Sequence, residues 1–187
     1  MVSFMSLWLP ILASAVAVFF VSFVTHMVLK YHQSDYPKLA NEDAVMNALR
    51  PLNIPPGDYM MPCGAGPQTM KDPVWLEKFK KGPVVVMTVM PAGEMTMGKN
   101  LIQWFIYCVI VSAIAGYVAG SALAPGQPFG AVMRFAGCGA FLAYAVGLWP
   151  DSIWYKRKWS TTFKSTFDGL LYALATGAVF AVLWPKG

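Results

Sequence analysis

Charged residues are scarce in this sequence of 187 residues. They make up 12% of the chain, whereas 57% of its residues are hydrophobic. Soluble domains carry about 25% charged residues, roughly twice this share. The shortage of charge argues against a soluble enzyme, a nucleic-acid-binding domain and a disordered tail, and it predicts a membrane protein.

Cysteine and histidine are also rare, which limits the chemistry that the chain can carry. Three cysteines cannot form a disulfide framework, and the sequence has no CxxC, HExxH, Walker or GxSxG pattern. A bis-histidine haem needs two imidazoles from facing helices. The only histidines, His26 and His32, are six positions apart, and on one continuous helix they would diverge by about 120°. We therefore expect no haem and no other cofactor.

Four apolar segments are long enough to cross a membrane as helices. A span needs about 20 mostly apolar residues. The sequence predicts spans at 7–29, 101–123, 132–149, where Pro150 stops the helix, and 167–184. No basic residue precedes the first apolar run, which is longer than a signal-peptide core, so we interpret it as a membrane anchor rather than a signal peptide.

Basic side chains predict the orientation of these spans. Cytoplasmic loops are enriched in lysine and arginine, and twelve of the fourteen basic residues fall at 30–99 and 156–164. We expect a bacterial inner-membrane protein with both termini outside and with residues 31–99 and 151–165 in the cytoplasm. The formal net charge of +5 then reflects topology, and we expect no nucleic-acid partner.

The segment between the first two spans is polar and contains two predicted helices. Residues 31–99 hold seven of the nine acidic residues. An Asx cap and two acids in the first turn predict a helix over 42–49. A second helix is predicted to begin at Asp72-Pro73 and to end at Gly82, because proline favours the first helical position and glycine the position after the last.

Extended stretches accompany these helices. The run at 83–90 is of β type and is predicted to turn back into 95–97, and a further extended stretch is predicted at 54–62. The segment is too short for a solid core of its own, so we expect it to pack on the bundle or on a partner. The predicted fold is an all-α membrane protein of four transmembrane helices with a small α+β cytoplasmic insertion between helices 1 and 2. The predicted parts are an N-terminal transmembrane helix (1–30), the insertion (31–99) and a three-helix transmembrane bundle (100–187).

Small residues recur at every fourth position in spans two to four. In lipid, helices associate where small residues let their backbones approach closely. The predicted packing positions are Gly116 and Gly120 in the second span, Gly139, Ala143 and Gly147 in the third, and Gly169, Ala173 and Gly177 in the fourth. The first span has only scattered small residues and is predicted to lie at the periphery, against lipid or a partner. The alternative is that all four helices pack on each other.

Few ionisable residues lie within or beside the spans, and such residues are functional candidates by default. The candidates are His26, His32, Arg134, Asp151 and Asp168. We expect Arg134 to extend towards the headgroups or to bind an anionic group, and we expect Asp151 and Asp168 to pair with cations of the loop between them. The basic residues predicted to contact anionic lipid headgroups are Lys156, Arg157 and Lys158.

These features favour a non-catalytic role. We expect a scaffold, accessory or assembly subunit of a larger membrane complex, whose partners are membrane lipids and either other membrane-protein subunits or further copies of itself. The alternative is a transporter, channel or lipid-handling protein. Four spans rarely enclose a pore alone and no inverted repeat is evident, which both count against it, so such a protein would act as a homo-oligomer. A membrane enzyme using His26, His32, Cys63 and Asp58 is a third hypothesis, although nothing in the sequence brings these residues together.

Overall fold

The computed structural model describes residues 1–64, 66–94 and 96–186. It confirms the predicted class of fold, a mostly helical chain with four long apolar helices and a small two-stranded sheet between the first and second of them. Two compact units are present: Met1–Pro37 with Thr96–Gly187, here called the bundle, and Lys38–Met95, here called the insertion.

In chain order the helices are α1 (Trp8–Phe23), α2 (Glu42–Leu49), α3 (Pro73–Lys81), α4 (Gly98–Ala122), α5 (Phe129–Tyr144), α6 (Trp149–Trp154) and α7 (Trp159–Val182), and the strands are β1 (Gly57–Met61) and β2 (Val85–Val89). Helices of 24 to 26 residues form the four spans, at Phe4–Val28, Gly98–Ala122, Phe129–Trp154 and Trp159–Val182. Each is long and apolar enough to cross a membrane, so the chain is an integral membrane protein.

The fourth span begins eight residues earlier than the predicted start at 167, at Trp159. Its first turn is polar, and its hydroxyl groups bond within the protein: Thr162 is fully buried and its Oγ1 lies 2.6 Å from Oγ of Ser152. The polar turn is therefore helical in spite of its low hydropathy. Asp168 consequently lies in the third turn of α7 instead of near the start of the helix.

The third span is interrupted before the predicted end. Helix α5 ends at Tyr144, a 3₁₀ turn follows at Val146–Leu148, and Pro150 lies in the first turn of α6, where its missing N–H is tolerated. Gly147 is exposed in this turn with open space around it, so the packing role predicted for it is wrong. Gly139 does pack, because a Cβ there would lie 3.5 Å from Cα of Ala115.

Helices α5 and α7 meet at the level of their backbones. A Cβ built on Gly177 would lie 2.7 Å from the carbonyl oxygen of Met133, and one on Gly169 would lie 2.8 Å from Cβ of Ala145. Ala173, between these two glycines on the same face, is 3% exposed. Ala143 of α5 packs against the buried cluster that contains Ala173.

The first span is an integral part of the bundle. Leu7 and Val18 are fully buried, and a Cβ on Gly120 of α4 would lie 3.1 Å from Cδ1 of Leu7. A Cβ on Gly116 would lie 2.9 Å from the ring of Phe180 in α7. The prediction that the first span is peripheral is therefore wrong, and the alternative that all four helices pack together describes the structure.

The insertion contains both predicted helices and a sheet with a different strand pairing. Strand β2 pairs in antiparallel fashion with β1, so that Tyr59 lies opposite Met87. The partner of the predicted β run is thus the upstream extended stretch and not 95–97, of which Met95 lies outside the described residues. Helix α3 is capped as predicted, because Oδ1 of Asp72 accepts a hydrogen bond from the backbone N–H of Val74, at 3.0 Å.

Replacing Gly177 by alanine should destabilise the bundle, because the new methyl group would overlap the Met133 carbonyl and force α5 and α7 apart. Overpacking of this kind costs about 1–3 kcal/mol, and we expect a lower midpoint of thermal unfolding in detergent, followed by circular dichroism. Gly130→Ala in the first turn of α5 is the matched control, since nothing lies within 4 Å of a Cβ there. Equal loss of stability in both variants would contradict the packing described.

Candidate functional site

Two histidines meet at one end of the bundle because the first span ends before His32. The span closes with a π-helical turn at Val24–Val28, Leu29 is extended, and a 3₁₀ turn follows at Lys30–Ser34. The change of direction carries His32 back over His26, so that the ring planes are within 7° of parallel and the centroids lie 4.6 Å apart. The prediction that the two imidazoles diverge is therefore wrong. We call this region the histidine end.

The carboxylate of Asp168 is the buried centre of the histidine end, with 3% of the residue exposed. The Tyr31 hydroxyl donates to its Oδ1. Nε2 of His32 lies 2.7 Å from its Oδ2, and Nε2 of His26 lies 3.9 Å from the same oxygen. A buried carboxylate needs donors to offset the loss of water. Among the described residues these donors are Tyr31 and His32, and not the loop lysines and arginine that the sequence suggested.

A second carboxylate lies on the other side of the His32 ring. Oδ2 of Asp35 is 2.7 Å from Nδ1 of His32, and its Oδ1 accepts a hydrogen bond from Nζ of Lys164 at 2.8 Å. The same ammonium group donates to the carbonyl oxygen of Tyr31 at 2.7 Å and to Oγ of Ser34 at 2.8 Å. Lys164 of α7 thus binds the turn at Lys30–Ser34 to the helix through three hydrogen bonds.

The surroundings of Asp35 and Tyr31 fix which of them carries a proton. Burial raises the pKa of the Asp35 carboxyl, but hydrogen bonds and positive charge from Lys164 and His32 lower that pKa by more, and the net shift is downward. Burial and the hydrogen bond to Asp168 both raise the pKa of the Tyr31 hydroxyl far above its ordinary value. Asp35 is therefore an ionised acceptor at neutral pH, and Tyr31 keeps the proton that it donates.

The ring of His26 is oriented by its own helical turn. Its Nδ1 lies 3.1 Å from the carbonyl oxygen of Ser22 and 2.9 Å from Oγ1 of Thr25, which in turn lies 3.0 Å from the Tyr172 hydroxyl. These contacts aim Nε2 of His26 towards Asp168. The side chain of His26 is 52% exposed, so the cluster is accessible from outside the bundle at this residue.

Aromatic side chains close the cluster towards the bundle interior. The ring of Tyr172 lies 5.4 Å from that of Tyr144 and 6.0 Å from that of Trp104, measured between centroids. The indole N–H of Trp104 donates to Oγ of Ser22 at 2.9 Å. The polar groups of the histidine end therefore face a packed aromatic layer on one side and the exterior on the other.

The remaining predicted site residues lie apart from this cluster. Arg134 is exposed on α5, and its Nε donates to the carbonyl oxygen of Gly130 in its own helix, at 3.0 Å. Nη1 of Arg157 lies 3.9 Å from Oδ2 of Asp151. Lys156 donates to the carbonyl oxygen of Ile153, and Lys158 is exposed just before α7. Headgroup contact by this basic group stays a prediction.

Sequence reasoning identified three members of the cluster, His26, His32 and Asp168, and missed Tyr31, Asp35 and Tyr172. It placed Lys164 among the loop cations that could pair with Asp151 or Asp168, whereas Lys164 pairs with Asp35. Lys164 and Asp168 are four positions apart, which puts them on one face of a helix. That signal could be read only if the helix was known to begin at Trp159. The spacing of His32 and Asp35 was similarly uninformative while residue 32 was assigned to the first span.

Three atoms of the cluster are close enough together to coordinate one cation or to exchange protons. One nitrogen of each histidine and one oxygen of Asp168 all lie within 4.8 Å of one another. Comparison of the chain with protein-family models, curated proteins and solved structures gives no match. Its function must therefore be inferred from the residues themselves.

Lys164→Met should loosen the turn at the histidine end, because it keeps the aliphatic stem but removes the donor to Tyr31, Ser34 and Asp35. A hydrogen bond to a charged group contributes about 1.5–3 kcal/mol, so amide exchange over residues 29–35 should become at least about tenfold faster in hydrogen-exchange mass spectrometry. Lys158→Met, an exposed lysine before α7, is the control and should leave these amides unchanged. Full protection of the turn in Lys164→Met would show that the lysine does not hold it.

Proposed function

We propose that this integral membrane protein is a non-catalytic accessory or assembly subunit of a larger membrane complex, and that its insertion packs on a protein partner. One observation carries the proposal: none of the described residues between 38 and 94 is buried. The insertion nevertheless contains regular helices and strands with many large apolar side chains. Exposed apolar surface of this extent is typical of interaction sites.

Helix α2 shows the need for a covering surface most clearly. All eight of its residues are exposed. Val45 and Met46 lie four and three positions before Leu49, so the three form one apolar stripe, and they are 42%, 47% and 37% exposed. Short helices obtain most of their stability from packing of such a face. A partner that covers it would supply that packing.

The sheet of the insertion has the same property. A two-stranded sheet is marginally stable by itself. Met60 and Val86 form a cross-strand pair and are 44% and 48% exposed. On the opposite face, Tyr59 and Met87 are only half-buried. Both faces of the sheet therefore present apolar side chains that an additional protein surface would bury.

The charge of the insertion favours a protein over a lipid surface as its partner. Residues 38–94 contain six basic and six acidic side chains, so the segment has no formal net charge. Binding to anionic headgroups relies on clusters of excess lysine and arginine. The first turn of α2 carries Glu42 and Asp43, which anionic lipid would repel. A neutral apolar surface is better suited to another protein.

Packing in the bundle argues against the alternative of a transport path through one copy. The backbones of α5 and α7 touch at Gly177 and Gly169. Buried hydroxyls such as that of Ser14 bond to the carbonyl oxygen of their own helix, at 2.7 Å from Pro10. The close approach of the two backbones leaves no room for a solute between α5 and α7 at these positions. The packing therefore favours a function at the surface of the protein over one in a central path.

A photocrosslinking amino acid at Met46, on the exposed apolar face of α2, should give a discrete protein adduct in native membranes. The same label at Asn47, the adjacent position about 100° around the helix, is the matched control and should give little or none. Adducts are read as bands of higher mass on denaturing gels. Labelling of lipid alone at residue 46 would contradict a protein partner.

Met46→Glu should also release the chain from its complex, because the new carboxylate would be buried without a partner at the contact. On native gels after mild detergent extraction, we expect this variant to migrate at lower mass than the wild type. Asn47→Glu should migrate like the wild type. A wild-type chain that migrates at the mass of a single chain would contradict the proposed function.

A further inference from the structure

We propose that His26, His32 and Asp168 form a binding site for a divalent transition-metal ion with the ligand preferences of zinc. The inference is independent of the accessory role and rests on the geometry of the histidine end. Two imidazole nitrogens and one carboxylate oxygen are a donor set that zinc accepts.

The distances between the donor atoms suit a single ion. Tetrahedral zinc has bonds of about 2.0–2.2 Å to nitrogen and oxygen, which places its ligand atoms about 3.3 Å from one another. Oδ2 of Asp168 lies 2.7 Å from Nε2 of His32 and 3.9 Å from Nε2 of His26. The two distances bracket the required value. Because the stacked rings do not direct both Nε2 lone pairs at one point, the exposed His26 ring must rotate out of the stack to complete the site.

The second nitrogen of each histidine already has the partner that metal-binding histidines use. Such residues almost always donate the other ring N–H to a carboxylate or a backbone carbonyl. Nδ1 of His32 lies 2.7 Å from Oδ2 of Asp35, and Nδ1 of His26 lies 3.1 Å from the carbonyl oxygen of Ser22. Each contact accepts the Nδ1 proton of its histidine. Nε2 of His32 donates to Asp168, and a bound ion would replace that proton, since metal ligation requires a deprotonated nitrogen.

The carboxylate ligand is oriented in a comparable way. Tyr31 donates to Oδ1 of Asp168, which leaves Oδ2 facing the two histidines. Lys164 pairs with Asp35 at 2.8 Å, so the charge of Asp168 remains available to a cation. The arrangement therefore supports all three ligands, and this independent observation distinguishes it from a chance grouping of polar residues.

Access and coordination number follow from the exposure of His26. Its side chain is 52% exposed, whereas those of His32 and Asp168 are 17% and 4% exposed. An ion can reach the site from the exterior at His26. Three protein ligands leave one tetrahedral position open on that side, which a water molecule or a group from a partner would occupy.

The test uses the full chain, purified in detergent with a tag that contains no histidine, stripped with a chelator and reloaded. Mass spectrometry should find about one equivalent of zinc per chain, and Co²⁺ loading should give the intense visible absorption of a tetrahedral site. His32→Ala and His26→Ala should both lose the spectrum and the stoichiometric zinc. Because the His26 ring is exposed and the contacts of Tyr31, Asp35 and Lys164 remain in place, His26→Ala should keep its fold and decides the test if His32→Ala does not.

Two further variants separate this site from nonspecific binding. Asp35→Asn should weaken zinc about 10–100-fold, as changes of such supporting groups do, while the helical circular dichroism is retained. Asp151→Asn, which alters an acid paired with Arg157 outside the cluster, should leave the affinity unchanged. No stoichiometric zinc in the wild type, or unaltered binding in His26→Ala, would overturn the proposal.

Discussion

The buried charge of Asp168 is the constraint on which the histidine end depends. A carboxylate removed from water is strongly unfavourable unless donors replace its hydration. Those donors are Tyr31 and His32, which reach it only because the chain turns back directly after the first span. The turn gives up helical hydrogen bonds beyond Val28 and gains the three that Lys164 donates. One charge in α7 thereby sets the path of the chain between the first span and the insertion.

Helix α7 connects this polar end with the packing of the bundle. Gly169 follows Asp168 directly, and its lack of a side chain lets the backbone of Tyr144 and Ala145 approach. Helix α5 ends at that point. In lipid, where apolar surface gains nothing by leaving the solvent, close backbone contact and interhelical hydrogen bonds are what specify helix pairing. On α7 the hydrogen-bonded side chain is Asp168 and the close backbone contact is at the adjacent Gly169. These two residues together specify how the first span and α5 pack against this part of α7.

The sequence contains most of the fold and only part of the site. Hydropathy located four spans, the acidic first turn located α2, and the Asp72 cap located α3, because these signals are local, although the Asn41 side chain forms no capping hydrogen bond. The start of α7 escaped detection because its first turn is polar, although Thr162 bonds to Ser152 in the interior. The break at Leu29 has no local signal, since leucine is neither glycine nor proline, and the distant Asp168 and Lys164 favour it. The meeting of the two histidines is thus a tertiary effect that no local pattern encodes.

The position of Asp168 on α7 explains why the turn at Lys30–Ser34 is held against that helix. At 1.5 Å per residue, the nine residues from the start of α7 place Asp168 about 14 Å along the helix. Lys164 lies four positions earlier on the same face and binds the Tyr31 carbonyl oxygen of the turn, while the Tyr31 hydroxyl donates to Asp168 itself. The turn is therefore bound to α7 at two successive positions of one helix face, and the side chain of His26, 52% exposed, remains on the outer side of the cluster.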